Sequence, residues 1–139
     1  MSLVLDYSVA LSWCFADERT PVTDALLDRV AESGALVPQL WPLEVLNGLC
    51  MAERRKRLDA GRRQGLADFL RALPIAVDPD TALQAWDTIQ LLAIRFRLTL
   101  YDAAYLELAQ RQGLPLATLD RELRAAGGAL GVTLLAGTV

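Results

Sequence analysis

Histidine is absent from this chain of 139 residues. Without an imidazole the chain cannot build a Ser-His-Asp or Cys-His nucleophile, a histidine-ligated zinc site or a histidine general base. If the protein is an enzyme, we expect its chemistry to rest on carboxylates, with a hard cation as their natural partner.

Cysteine is nearly as scarce. The two cysteines, Cys14 and Cys50, do not have the spacing of a metal-binding motif. The apolar N-terminus lacks a basic leader and carries Asp6 within its run, so it is a poor signal peptide. We therefore expect a cytoplasmic protein whose cysteines are free thiols, buried as small apolar residues.

Long apolar runs and a positive charge balance are missing too. No run approaches the roughly 20 residues that a membrane-spanning helix requires. The net charge of −3 and the pI of about 4.9 exclude nucleic-acid binding by bulk electrostatics, so any such contact must be local. A hydrophobic content of 53% indicates either a large core or exposed apolar area for a partner or second subunit.

Short apolar runs alternate with stretches of helical periodicity and no linker separates them. This order predicts a single α/β domain over residues 1–139, with about five parallel strands and helices on both faces of the sheet. The predicted strands are 3–5, 35–38, 75–77, 115–119 and 132–135. The predicted helices are 8–16, 22–33 ending at Gly34, 42–57, 59–73, 79–97, one after Leu98, and 120–127 with Gly127 as its stop.

Acidic side chains follow two of the predicted strands. Asp6 ends the first strand, and Asp120 follows the fourth. Because ligands of open α/β sheets bind outside the carboxyl ends of parallel strands, we expect these two acids at one edge. For each residue alone, capping of the following helix is an equally good interpretation.

Two further acids lie near helix starts. Glu44 follows Pro42 by two residues, on a helix whose Leu43, Leu46, Leu49 and Cys50 are predicted to face the core. Asp102 has the capping-box spacing to Thr99. The alternative for both is an acid favoured by the helix dipole.

Convergence of these four acids would be costly without a counterion. Two carboxylates about 5 Å apart repel by roughly 3 kcal/mol at an effective dielectric of 20. Stability alone would not retain such a cluster, whereas a divalent cation offsets the repulsion. Oxygen-only ligands favour Mg²⁺ or Mn²⁺.

Four segments, in order, resemble the motifs of PIN-domain nucleases: "LVLDYSVALSW", "PLEVLNGL", "LTLYDAAYLELA" and "LATLDRELRAA". The resemblance covers residues 3 to 134 and is greatest to the VapC toxins of toxin–antitoxin pairs. It implies a five-stranded parallel sheet and a ribonuclease that depends on one or two Mg²⁺ or Mn²⁺ ions. The catalytic acids it implies are Asp6, Glu44, Asp102 and Asp120.

The resemblance also implies a role for each position. Asp6 and Asp102 lie closest to the first metal, while Glu44 and Asp120 hold waters or a second ion. The flanking polar positions that match are Ser8, Asn47 and Thr118. Metal-activated water would attack the phosphate in line and leave a 5′-phosphate and a 3′-hydroxyl. The implied partners are RNA, a second copy of the chain and a small antitoxin whose C-terminal segment lies in a groove.

Other interpretations of the acids remain. A haloacid-dehalogenase phosphatase needs a second Asp two residues after its nucleophile, where this chain has Ser8. A response-regulator receiver needs a late lysine, and the sole lysine is Lys56. A PIN nuclease of RNA maturation and a catalytically silent PIN binding module are the alternatives within the family, although no acid of the motifs is missing.

Basic residues crowd one predicted helix–helix turn, and they are Arg54, Arg55, Lys56, Arg57, Arg62 and Arg63. The arginines of this basic cluster are candidates for an RNA backbone clamp, and a solvated helix end is the alternative. The three tryptophans, Trp13, Trp41 and Trp86, have apolar neighbours at helical spacing. Core or interface packing is therefore favoured over base stacking.

Overall fold

Five short parallel strands form the sheet of this protein, whose computed structural model describes residues 1–137. The strands are β1 (Val4–Leu5), β2 (Ala35–Val37), β3 (Ile75–Val77), β4 (Leu116–Ala117) and β5 (Leu134–Leu135). Their order across the sheet is β3-β2-β1-β4-β5. The predicted α/β class with a five-stranded parallel sheet is confirmed.

Helices connect every pair of consecutive strands. They are α1 (Tyr7–Ser12), α2 (Pro21–Ser33), α3 (Trp41–Arg54), α4 (Ala60–Ala72), α5 (Thr81–Gln84), α6 (Gln90–Phe96), α7 (Leu100–Gln112) and α8 (Arg121–Ala129). A 3₁₀ turn (Ala16–Glu18) precedes α2, and a π-helical segment (Ala85–Ile89) joins α5 to α6. Side chains of Thr20, Asp59, Thr99 and Asp120 cap the next helix along the chain, in keeping with the preference for Ser, Thr and Asp at N-caps.

The core is deepest where β1, β2 and β4 lie side by side. Leu3, Val4 and Leu5 are fully buried, because helices cover both faces of a central parallel strand. Helix α7 crosses this region and is buried from Ala103 to Ala109. The carboxyl ends of β1 and β4 therefore lie beside the most deeply buried part of the described fold.

Two predicted helices end earlier than their apolar patterns indicated. Helix α1 stops at Ser12, because the next two amides bond three residues back and Phe15 is extended. Helix α3 stops at Arg54, before Lys56 adopts a left-handed φ of 62°. Sequence periodicity does not detect these local changes of backbone hydrogen bonding.

The prediction that Gly127 ends the last helix is wrong. Helix α8 continues to Ala129, and Gly127 lies within it. A Cβ at Gly127 would lie 2.8 Å from the Cδ2 atom of Leu134, so the glycine allows β5 to pack against the helix. Gly34, in contrast, ends α2 with a φ of 74°, as predicted.

Several apolar side chains predicted for the core are exposed instead. On α3, Leu49 is buried, but Leu43, Leu46 and Cys50 face solvent. Trp86 is 86% exposed, which excludes core packing for it, whereas Trp13 and Trp41 are buried. Helical periodicity identifies an apolar face but does not distinguish the core from a surface left open to a partner.

Within residues 1–137, no helix combines the length and the apolar character that crossing a membrane requires.

Candidate active site

Two acids lie where the strand order of the sheet reverses. The chain runs outward from β1 to β2 and β3, then crosses to β4 beside β1. Asp6 directly follows β1, and its backbone N–H donates to the Ala117 carbonyl at 2.9 Å. Asp120 follows β4 by three residues and caps α8. This point outside the carboxyl ends of the strands is where open α/β sheets bind ligands.

Asp6 is almost completely buried, with 1% of its surface exposed. The hydroxyls of Ser8 and Thr118 donate to its Oδ2 atom at 2.6 and 2.7 Å. Its Oδ1 atom is buried without a hydrogen-bond partner among residues 1–137. Burial raises the pKa of Asp6 above its usual range, although both hydroxyls act to lower it. A buried carboxylate oxygen without a hydrogen bond raises the free energy of the folded protein, so a ligand that binds Oδ1 would stabilise it.

The two hydroxyls also hold the loops after β1 and β4 together. The Leu119 N–H donates to Ser8 Oγ, and the Asp120 N–H donates to Thr118 Oγ1, each at 3.1 Å. Arg124 donates to the carbonyl oxygens of Thr118 and Leu135 at 2.9 and 2.7 Å. Ser8 and Thr118 therefore lie beside the acids where the sequence placed them, in positions that fix Asp6.

Glu44 enters the pocket from the first turn of α3. It is half-buried, and the hydroxyl of Tyr105 on α7 donates to its Oε1 atom. Burial raises the pKa of Glu44 to about 7, and the charges of Asp6 and Asp102 add to this rise while the Tyr105 bond opposes it. Asn47, the predicted polar neighbour, is exposed and makes no hydrogen bond to these acids within the described part of the chain.

Asp102 takes part in the N-cap of α7 and is also one of the four acids of the site. Its backbone N–H donates to Thr99 Oγ1 at 3.1 Å, so the predicted cap of α7 is present. Its carboxylate is half-buried, and the negative charges of the other acids act on it. Burial, followed by the charges of Asp120 and Asp6, raises its pKa to about 6.

The four acids share one electrostatic environment. Besides burial, the charges of all four raise the pKa of Tyr7 at the start of α1. Across residues 1–137, however, no three acidic or sulfur side chains stand close enough to form a complete metal-binding group. The structure thus brings Asp6, Glu44, Asp102 and Asp120 into one acidic site, the acid pocket, and the ligand geometry remains a prediction.

The donor chemistry of this pocket fits a hard divalent cation. Its donors are carboxylate oxygens, which Mg²⁺ and Mn²⁺ prefer. The Oδ1 atom of Asp6, which has no hydrogen-bond partner within residues 1–137, would gain a ligand. A cation would also oppose the burial and the charge repulsion that raise the pKa values of Asp6, Glu44 and Asp102.

The basic cluster lies away from these acids, at the opposite end of α3. Ten residues separate Glu44 from Arg54, which is about 15 Å along a helix. Arg57 pairs with Asp17 and Glu18 at 3.2 and 3.3 Å and lies over the Phe15 ring. Arg63 is bound to Glu53. The remaining predicted RNA contacts, Arg54, Arg55 and Arg62, form no ion pair with a described residue.

Sequence reasoning missed Tyr105 as a member of the site. Its signal was its position three residues after Asp102, on the same helical face, within an otherwise apolar stretch. A buried tyrosine hydroxyl usually needs a partner, and a polar partner on another element could have been expected.

Fold and acid pocket together define an α/β domain with carboxylates at its switch point, and a family comparison identifies the class. The PIN domain model matches residues 3–129, so the chain belongs to the PIN-domain family, which confirms the resemblance of its motifs.

Particular relatives agree with this assignment. The chain is 31% identical over 127 residues to Ribonuclease VapC3 from Pyrobaculum aerophilum, covering 88% of this chain and 92% of that protein. The crystal structure of PAE2754 from Pyrobaculum aerophilum matches with a TM-score of 0.70 and 25% identity, over 96% of this chain and 83% of that one. That of FitAcB from Neisseria gonorrhoeae matches in fold, with a TM-score of 0.66, 17% identity and 96% coverage of both chains.

Proposed function

We propose that this protein is an endoribonuclease dependent on Mg²⁺ or Mn²⁺, and the toxin of a VapBC-like toxin–antitoxin pair acting in the cytoplasm. The observation that carries the proposal is the buried Oδ1 atom of Asp6, which has no hydrogen-bond partner among residues 1–137 and lies in an acidic site shared with three other acids. The 31% identity to a ribonuclease supports the substrate class.

Asp6 and Asp102 would hold a divalent cation, with Glu44 and Asp120 holding waters or a second ion. Such a cation, when bound, polarises the scissile phosphate and lowers the pKa of water. Ser8 and Thr118 fix Asp6 through Oδ2, which leaves Oδ1 for ligation. Asp120 is fixed in the same way, since its Oδ2 atom accepts from the Leu123 N–H at 2.8 Å.

The proposed reaction is in-line hydrolysis of a phosphodiester that leaves a 5′-phosphate and a 3′-hydroxyl. Glu44 would orient the attacking water, and Asp6 and Asp102 would hold the cation that accepts the substrate phosphate as a ligand. The position of Asp6 is fixed by the sheet, because its backbone N–H donates to the Ala117 carbonyl of β4. The chain offers no histidine for a metal-free route by general acid–base catalysis.

Expression of the wild type in a short pulse, with sequencing of RNA 5′ ends afterwards, tests the proposal. New 5′-phosphate ends should appear with the wild type and be absent with Asp6→Asn. The purified wild type should lose cleavage in EDTA and regain it with Mn²⁺. Cleavage that persists in EDTA would contradict cation dependence, and cleavage by pure Asp6→Asn would contradict the site.

We also propose a small antitoxin and a second copy of the chain as protein partners. A cavity of about 550 Å³ lies between α3, α4 and β3, with an apolar lining that includes Trp41, Val45 and Leu70. Trp86 and Ile94 are exposed by 86% and 71% on the π-helical segment and α6. Growth arrest on expression, relieved by an adjacent small open reading frame, tests the antitoxin, and sedimentation tests the dimer.

RNA backbone contact is assigned to the basic cluster, with Arg54, Arg55 and Arg62 as its available charges and Arg57 and Arg63 as members already paired to acids. Arg54, about 15 Å from Glu44 along α3, would contact a phosphate away from the scissile one. Such contacts add affinity without choosing a sequence.

A further inference from the structure

Tyr105 is the largest fully buried side chain of the core. It lies on α7, about one turn after Asp102, and its hydroxyl donates to Glu44 Oε1 across 61 residues of sequence. The helix that carries Asp102 is thus bound to Glu44 through the Tyr105 side chain.

The charge of the acid that follows β1 also acts on Tyr105. Burial, followed by the charges of Glu44 and Asp6, raises the pKa of Tyr105. Within residues 1–137 its hydroxyl makes one hydrogen bond, to Glu44. Tyr105 is therefore bound to Glu44, shares a helix with Asp102 and is influenced by Asp6.

The bond has a consequence for Glu44. A glutamate side chain has three rotatable bonds and loses considerable rotamer freedom when it is fixed. Holding Oε1 against a rigid, buried phenol restricts that freedom before any ligand arrives. Oε2 then remains as the oxygen of Glu44 that is not used by Tyr105.

We propose that Tyr105 is a positioning residue, which fixes the Glu44 carboxylate in the acid pocket so that Oε2 serves the cation or its water. This inference rests on the proposed function. The partners of metal ligands commonly orient them in this way. Tyr105 itself touches neither substrate nor cation.

The variant Tyr105→Phe removes the hydroxyl and keeps the ring. The matched control is Tyr101→Phe, which removes a hydroxyl from a 64% exposed tyrosine of the same helix. Mn²⁺ affinity is measured by calorimetry, and kcat and KM are measured on one RNA at saturating Mn²⁺. Melting of the cation-free proteins shows whether each variant is folded.

For Tyr105→Phe we expect Mn²⁺ affinity to fall by roughly 10-fold, since loss of a ligand's partner costs 10–100-fold. At saturating Mn²⁺, kcat should fall while KM changes little, and Tyr101→Phe should match the wild type in all readouts. In a Glu44→Gln background, Tyr105→Phe should have little further effect on Mn²⁺ affinity, because the carboxylate it positions is gone.

The proposal is overturned if folded Tyr105→Phe binds Mn²⁺ and cleaves RNA like the wild type. It is equally overturned if Tyr105→Phe fails to fold, because Tyr105 would then be a structural core residue. If the wild type binds Mn²⁺ and cleaves RNA, either of these results refutes only the role of Tyr105 and leaves the proposed ribonuclease function in place. A wild type that does neither would instead refute the ribonuclease assignment itself.

Discussion

Two groups of buried acids in this protein are treated in opposite ways. Asp78, after β3, and Glu107, on α7, are each 3% exposed, and both are bound by Arg111. The distances from Arg111 are 2.6 Å to Asp78 Oδ2 and 2.7 Å to Glu107 Oε2. Asp6 is buried just as deeply, but its neighbours are two hydroxyls and three more acids.

The difference shows what stability alone would select. A buried charge is tolerated when a partner neutralises it, and the fold supplies Arg111 for that purpose at one place. No arginine reaches Asp6 among the described residues, and the pKa values of Asp6, Glu44 and Asp102 are raised. Helix α7 takes part in both groups. It carries Glu107, which is paired with Arg111, and Asp102, which belongs to the acid pocket.

The largest expected effect is on cleavage. Asp6→Asn should reduce RNA cleavage by a factor on the order of 10²–10³ or more, as removal of a central electrostatic group in an active site does. The cation-free melting temperature should stay the same or rise, because the buried charge that is removed is paired with no arginine or lysine among residues 1–137. Single-turnover cleavage and thermal melting of pure protein measure the two effects, and a strongly destabilised Asp6→Asn would contradict the comparison.

The ion-paired group should respond in stability instead. Arg111→Met leaves Asp78 and Glu107 buried without a cation and should lower the free energy of unfolding by roughly 3–5 kcal/mol. Urea denaturation measures this loss, with the exposed Arg71→Met as the control of equal chemistry. A loss below about 1 kcal/mol, typical of surface ion pairs, would show that Arg111 does not neutralise a costly buried charge and that the two groups are alike.

The pH dependence of the free energy of unfolding should reveal the acid pocket without any mutation. The folded-state pKa values of Glu44 and Asp102, about 7 and 6, lie above their ordinary values of 4.5 and 3.8. Between these limits the folded protein binds more protons than the unfolded chain, so stability without cation rises as the pH falls from about 8 to about 5.

Thermal melting of the EDTA-treated protein across that pH range checks the sign. The double variant Glu44→Gln, Asp102→Asn should make the profile less steep, since two of the three carboxylates whose pKa values are raised are removed. With Mn²⁺ present the wild type should gain stability toward higher pH, because the carboxylates must be ionised to bind. A cation-free protein that becomes more stable as the pH rises through this range would contradict the raised pKa values of Glu44 and Asp102 in the folded state.

The smallest expected effect concerns the basic cluster. Arg54→Ala should reduce the slope of log affinity for single-stranded RNA against log salt by about 0.7, the value for one lost phosphate contact. Arg57→Ala should have a weaker effect, because Arg57 is already paired with Asp17 and Glu18. Arg29→Ala, whose side chain binds the Ser2 carbonyl beside the amino end of β1, is the control.

Fluorescence titrations at several salt concentrations give these slopes. Equal slopes for the wild type, Arg54→Ala and Arg29→Ala would remove the basic cluster from the RNA contact and leave the acid pocket unaffected.

Features that depend on sequence neighbours or on a rule of topology were predictable from the sequence. Parallel strands end on the same side of a sheet, which predicts Asp6 and Asp120 at one edge, and the structure places them there. Local spacing alone predicts that Thr99 caps α7, and it does.

Features that depend on distant neighbours could not be predicted in this way. Tyr105 meets Glu44 across 61 residues, and no local pattern encodes that contact. The glycine at 127 has the local pattern of a helix stop, but the neighbour that requires it, Leu134, is on another element. Leu43 and Leu46 carry the periodicity of a core face, although α3 leaves them exposed.

The most direct test of the central claim is an anomalous-difference map from crystals of the wild type soaked in Mn²⁺. The account predicts a peak at about 2.0–2.3 Å, the range for oxygen ligands of hard cations, from carboxylate oxygens of Asp6 and Asp102, with Oδ1 of Asp6 among them. The absence of a peak at the acid pocket at saturating Mn²⁺, whether or not Mn²⁺ binds elsewhere on the protein, would contradict the cation site.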